Sequence, residues 1–307
     1  MGLILLLYTL FASTFTLGKL LSGSTSPIFL TAIRMLLGGS ILSVYQYIYG
    51  KQAKKFQWAD LGLFAQVMIC GVYCNYILRF WALAYLPSSK ACFLFNFSPF
   101  LSSLYSYLLF NERLTHNQWV GLAIGFIGMI PMLISSSPGE QITSSGWLIS
   151  LPEIAILLSV AMHSYSWIIV RRLVKHKEYD PTFINSTTMS VGGILALITA
   201  LSIENIPPVQ DTTSFLGGLL FVVLVSNVFC HNLYGHLLKT YTATFLAFAS
   251  FLTPLFAAVL GSLFLHEIIT WHFYVSVVVV FAGLYLFYKD ELESMRQERL
   301  AKKTIIA

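Results

Sequence analysis

The chain has 307 residues, of which 57% are hydrophobic and only 10% charged, against about 25% charged in a soluble domain. That balance excludes a water-soluble globular fold, and a net charge of +5 concentrated in alternate loops, with Lys19 and Lys90 near the other face and Arg34 and Arg79 within spans, is no sign of a nucleic-acid partner. Leu, Ile, Val and Phe recur in blocks of about 20 residues, each long enough at about 1.5 Å per residue to cross a hydrocarbon core of roughly 30 Å.

Ten such blocks are read in chain order, at residues 2–22, 27–48, 58–84, 89–110, 117–135, 146–171, 181–202, 213–238, 242–265 and 270–288. The expected fold is an all-α integral membrane protein of ten transmembrane helices. The first block has no basic leader and no small-residue cleavage site, so it reads as a retained helix. Lys289 to Leu292 spell KDEL, a signal read only at the extreme C-terminus. Cys70, Cys74, Cys92 and Cys230 all lie inside the blocks, where cysteine behaves as a small apolar residue. Neither disulfide, metal nor cofactor is expected.

Lys and Arg follow alternate blocks: Lys51, Lys54 and Lys55, then Arg113, then Arg171, Arg172, Lys175 and Lys177, then Lys239, and finally the tail. The segments at 135–146 and 202–213 carry Glu140, Glu204 and Asp211 with no Lys or Arg. By the positive-inside rule both termini face the cytoplasm, with a multi-pass placement in the cell (inner) membrane. Residues 289–307 form a basic cytoplasmic tail.

The sequence also repeats itself. At an offset of 154, Pro27, Phe29, Met35, Gly38 and Gly39 fall on Pro181, Phe183, Met189, Gly192 and Gly193. At an offset of 155, Phe93, Pro99, Leu108, Glu112, Thr115, Val120, Phe126 and Gly128 fall on Phe248, Pro254, Leu263, Glu267, Thr270, Val275, Phe281 and Gly283. The two copies are residues 1–135 and 146–288. With five crossings each, they must enter the bilayer from opposite sides. Such inverted repeats recur in secondary transporters, where exchange of conformation between the halves alternates access to a midplane site.

The segments SPFLSSLYSYLLFNERLT from Ser98 and TPLFAAVLGSLFLHEIIT from Thr253 each set a Pro thirteen residues before a Glu. That pattern resembles the EamA-type repeat of the drug/metabolite transporter superfamily, and the resemblance spans the chain. It implies a carrier whose cavity is lined by the first, third and fourth blocks and by the sixth, eighth and ninth. Members of the family export amino acids and other metabolites, and some take up S-adenosylmethionine.

Candidate mechanism residues follow from polarity inside the blocks. Pro99 and Pro254 each remove a helical hydrogen bond and are candidate hinges, or fixed bends. Glu112 and Glu267 stand at helix ends and read as gate-stabilising groups. Ionisable residues within a span cost roughly 2.5 to 3.5 kcal/mol on insertion scales and face the bundle interior. Arg34, Arg79 and Glu153 share a depth, an arrangement suited to a zwitterion; Ser150, Pro152 and Glu153 equally read as a helix start, and Arg34 as a snorkelling side chain or one partner of an interhelical salt bridge.

Asn75 and Arg79 share a helix face, as do Asn227 and His231, and the repeat sets Tyr76 against His231. Asn96, His163 and Trp167 complete the expected substrate-binding set. Each of these polar groups has an interhelical hydrogen bond as its alternative role. His163 and His231 are candidate proton carriers, although facilitated exchange stays open because Asp60, Asp180, Asp211 and Asp290 all lie at loops or helix ends.

Glycines 121, 125 and 128 read as packing within a monomer, with a homodimer as the alternative. No hydrolase elbow or zinc-binding helix occurs, so an intramembrane enzyme is disfavoured. The partners expected are the lipid bilayer and a small organic metabolite, amino-acid-like or S-adenosylmethionine-like, with a broad drug or amino-acid exporter as the alternative.

Overall fold

The computed structural model describes residues 2–49, 56–110, 115–134, 149–205, 211–240, 246, 250, 252–266 and 268–306. All regular structure among them is helical. In chain order the helices are α1 (Gly2–Ser22), α2 (Pro27–Tyr49), α3 (Trp58–Tyr85), α4 (Ser88–Phe95), α5 (Ser98–Phe110), α6 (His116–Ile134), α7 (Leu151–Lys175), α8 (Pro181–Ile203), α9 (Thr212–Leu237), α10 (Leu252–Leu265) and α11 (Trp271–Ile306). Seven of them are long and apolar enough to cross a membrane. Lipid cannot satisfy backbone groups, so such crossings close their hydrogen bonds within the helix.

Helix starts follow local chemistry. Pro181 and Pro27 open α8 and α2, where a missing N–H costs nothing. Asp180 accepts from the Thr182 N–H at 3.1 Å. At α2 the same service comes from afar: the Glu204 carboxylate, beyond the end of α8, accepts from Ile28 N–H at 3.0 Å and Phe29 N–H at 2.9 Å. Asp211 caps α9 through Ser214 N–H at 3.1 Å, and these hydrogen bonds hold its carboxyl below the ordinary value.

Two expected helices come out differently. The block at 89–110 is broken at Asn96 and Phe97, between α4 and α5. The reason lies two residues on: Pro99 has no N–H to donate to the carbonyl of residue 95. The last helix runs from Trp271 to Ile306, well past the expected end at 288.

Helices α3 and α9 each contain an eight-residue π-helical stretch, Val67–Cys74 and Val223–Cys230. The stretches are displaced by 156 residues, close to the repeat offset, and lie just before Asn75 and His231. Wide turns of this kind concentrate at functional sites.

The chain falls into two compact units. The larger holds residues 1–105 and 137–269. Within it α2 packs along α8 through repeat-equivalent glycines: a Cβ on Gly39 would lie 2.5 Å from Ser190 Oγ, and one on Gly193 would lie 2.9 Å from the Leu36 nitrogen. The smaller unit holds residues 106–136 and 270–307, and in it α6 packs along α11. The glycine face of α6 is thereby taken up inside the chain.

Candidate functional site

The polar residues of the larger unit converge on α3, α7 and α9. Gly38 sits one turn beyond Arg34 on α2, and a Cβ there would come within 2.8 Å of the Asn227 Cβ. Its absence lets α9 approach, so that Arg34 Nε donates to Asn227 Oδ1 and Nη2 to Ser226 Oγ, both at 2.7 Å. The Asn227 amide points in turn at the sulfurs of Met35 and Met189, at 3.3 and 3.7 Å, two residues that the repeat makes equivalent. Arg34, wholly buried, thus neither snorkels nor, among the described residues, forms the expected salt bridge but ties α2 to α9 through the neutral side chains of Asn227 and Ser226.

Arg79 is built differently. Its guanidinium carbon lies 4.7 Å from the centre of Phe15, 5.0 Å from Tyr76, 5.2 Å from Phe95 and 5.7 Å from Phe80. Its Nε is buried with no hydrogen-bond partner. Among the described residues no carboxylate pairs with it, while Glu153 pairs with Lys90 and Asp60 with Lys177. Ring faces attract a desolvated guanidinium by up to about 2 kcal/mol, but they supply no acceptor for its five N–H donors. Arg34 shares the same two rings, at 4.9 Å from Tyr76 and 5.3 Å from Phe80.

From Tyr76 the network runs to His231, whose Nε2 is 2.8 Å from the Tyr76 hydroxyl and whose Nδ1 is 2.6 Å from the Ser226 carbonyl. Trp167 stacks beside His231 at 6.0 Å and donates its indole N–H to His163 Nε2 at 3.0 Å. His163 meets Phe95 edge-on at 5.1 Å, which returns to Arg79. Six side chains from α3, α4, α7 and α9 therefore close a circuit: Tyr76, His231, Trp167, His163, Phe95 and Arg79. Asn75 joins it at 3.3 Å from His163 Nδ1, its carbonyl oxygen held by Ser159 Oγ at 2.7 Å.

The remaining expected residues lie apart from that circuit. Glu153 accepts from the Ser150 backbone N–H and from Ser150 Oγ and lies 2.8 Å from Lys90 Nζ. This is the helix-start arrangement, a capping box with an ion pair added, and it commits the carboxylate to Lys90 instead of to an arginine. Asn96 is buried at the break between α4 and α5. Pro99 and Pro254 lie in the first turns of α5 and α10, where proline is tolerated. Glu112 and Glu267 lie outside the described residues. Phe15, Phe80, Ser226 and Lys90 were not singled out from sequence as site residues.

Several apolar helices long enough to cross a bilayer, with polar groups turned inward between them, mark a multi-pass membrane protein. The EamA-like transporter family matches residues 1–134 and 150–289, and the chain belongs to it. The chain is 31% identical to the S-adenosylmethionine/S-adenosylhomocysteine transporter of Chlamydia muridarum, over 92% of this chain and 89% of the relative. Its identity to the protein of that description in Chlamydia trachomatis serovar D is 30%, over 92% and 86%. A probable amino-acid metabolite efflux pump of Salmonella typhimurium is 23% identical over 66% and 67%. One crystal structure superposes with a TM-score of 0.67 at 17% identity, covering 96% of this chain and 98% of that one, a likeness of fold.

Proposed function

We propose that the chain is a carrier for S-adenosylmethionine- or S-adenosylhomocysteine-like solutes, amino acids bearing a nucleoside, working by alternating access between two inverted five-helix repeats. In this reading ten helices cross the cell membrane, both termini are cytoplasmic, the repeats are residues 1–135 and 146–288, and the protein does no covalent chemistry.

The observation that carries the reading is Arg79. A guanidinium caged by four rings, with its Nε buried and unpartnered among the described residues, is poised for an anion that none of those residues provides. The α-carboxylate of an amino acid fits, since charge-assisted hydrogen bonds to arginine are short and often bidentate. The half-buried rings of Phe95 and Trp167 and the polar groups of Asn75, Asn96 and His163 offer stacking and hydrogen bonding to the remainder of such a solute. Asn227 and Glu153 are assigned to positioning, of Arg34 and of the start of α7. Pro99 and Pro254, with Glu112 and Glu267, are assigned to gating. The relatives at about 30% identity support the nucleoside part of the reading.

The test is counterflow in proteoliposomes with S-adenosylmethionine, S-adenosylhomocysteine, methionine, adenosine, nucleotides and cationic drugs. The reading expects exchange of the first two. Exchange of lipophilic cations with equal ease would instead support a broad exporter, and exchange of none of the panel would overturn the assignment.

A further inference from the structure

We propose that His231, gated by Tyr76, carries a coupling proton, and that His163 does not. This rests on the carrier reading above.

The distinction comes from the hydrogen-bond partners. His163 Nε2 receives the indole N–H of Trp167 at 3.0 Å, and indole can only donate. That nitrogen must keep its lone pair, and a proton placed there would set two N–H groups against each other. His231 is arranged otherwise. Its Nδ1 faces the Ser226 carbonyl at 2.6 Å, which can only accept, so Nδ1 carries the hydrogen and Nε2 the lone pair. Among the described residues the partner of Nε2 is the Tyr76 hydroxyl at 2.8 Å, and a phenol both donates and accepts. When a proton adds at Nε2, imidazole becomes imidazolium, the Nδ1 bond to Ser226 is unbroken, and Tyr76 turns its O–H away and accepts instead. Among the two inward histidines, only His231 can gain a proton without losing a bond.

The groups around His231 set the sense of coupling. From α2 and α3 it faces Arg34, Arg79 and Tyr76; from α7, His163; from α1, Tyr8 through the ring of Phe11; on its own helix, Cys230 and Tyr234. Helix α8 contributes no titratable group. A third positive charge beside two arginines is repelled in the empty site. A carboxylate docked on Arg79 offsets one of the two charges and lowers that repulsion, so proton and carboxylate stabilise one another and travel together.

The experiment compares, for each protein, accumulation of radiolabelled S-adenosylmethionine under an acid-outside gradient with counterflow at equal pH. In wild type the ratio should exceed that without a gradient by about tenfold. His231→Gln and Tyr76→Phe should each bring the ratio down to its no-gradient value, whereas the flux that remains in His163→Gln, weaker because His163 faces the solute, should keep its full gradient dependence. A gradient-driven ratio retained in His231→Gln overturns the proposal; should that variant carry no flux, retention in Tyr76→Phe does so. Loss of the ratio in His163→Gln, or wild-type exchange indifferent to the gradient, also overturns it. Absence of wild-type counterflow would count against the carrier reading itself.

Discussion

Lys90 and Glu153 meet at 2.8 Å with 1% and 2% of their side chains exposed, joining the first turn of α4 to the first turn of α7. Sequestering both charges is expensive, and removing the carboxylate costs Lys90 its ion pair, a change worth roughly 3 to 5 kcal/mol in buried pairs. Glu153 also holds the Ser150 N–H at the start of α7. Glu153→Gln should therefore lower the thermal midpoint in detergent markedly, while the double change Lys90→Met with Glu153→Gln recovers most of it. Equal midpoints for the single variant and wild type would show the pair to be energetically idle.

The pairing of α6 with α11 makes a second expectation. A Cβ on Gly121 would lie 2.5 Å from the Gly283 carbonyl oxygen and 2.6 Å from the Phe287 nitrogen, and one on Gly283 would lie 2.7 Å from the Gly125 nitrogen. Backbone cannot step aside as a side-chain tip can. Gly121→Leu should cost on the order of 1 to 3 kcal/mol by overpacking, read as a fall in the unfolding midpoint. Gly62, where a Cβ meets nothing within 4 Å, is the control and should tolerate Ala.

Between α7 and α8 the Tyr179 hydroxyl donates to Asp60 Oδ2 at 3.0 Å and accepts from Gln57 N–H at 3.1 Å; Lys177 lies 2.7 Å from the other Asp60 oxygen. Burial, the leading cause, with Asp60 adding to it, raises the phenol above its usual value. A raised acid leaves stability intact below the unfolded value near 10 and loses it as pH climbs toward the folded one, because the unfolded chain ionises first. Melting temperature should thus fall above about pH 10, and Tyr179→Phe should show a shallower decline than wild type. Parallel curves would remove Tyr179 from the alkaline transition.

What was legible in the chain depended on distance along it. Spans came from hydropathy because apolar length is a local property, and Ser150 with Glu153 announced the start of α7 because a capping box fits within four residues. The repeat went further: it set Tyr76 against His231, which are hydrogen-bonded across 155 residues. The partner of Arg34 is Asn227, 193 residues away, and no periodicity could name it. The π-helical stretches have no compositional mark. Phe15 and Phe80 look like any lipid-facing Phe in sequence and become cage walls only when α1 and α3 meet. A shared depth linked Arg34, Arg79 and Glu153, but depth does not fix azimuth, and Glu153 turns to Lys90.

The cage around Arg79 makes the sharpest functional expectation, because it separates charge from shape. If the guanidinium holds the substrate carboxylate, wild type should prefer S-adenosylmethionine to its decarboxylated form by about 10- to 100-fold, the equivalent of roughly 1.5 to 3 kcal/mol for a hydrogen bond to a charged group. Arg79→Gln should lower affinity for the carboxylated solute by a similar factor yet change affinity for the decarboxylated one little, so that the preference collapses. Arg79→Lys keeps the charge but not the planar fork and should restore only part of it. Competition against labelled substrate in counterflow measures all three proteins with both solutes. A preference that survives unchanged in Arg79→Gln would place the carboxylate elsewhere and leave the arginine to stack between Phe15 and Tyr76 as a strut between α1 and α3.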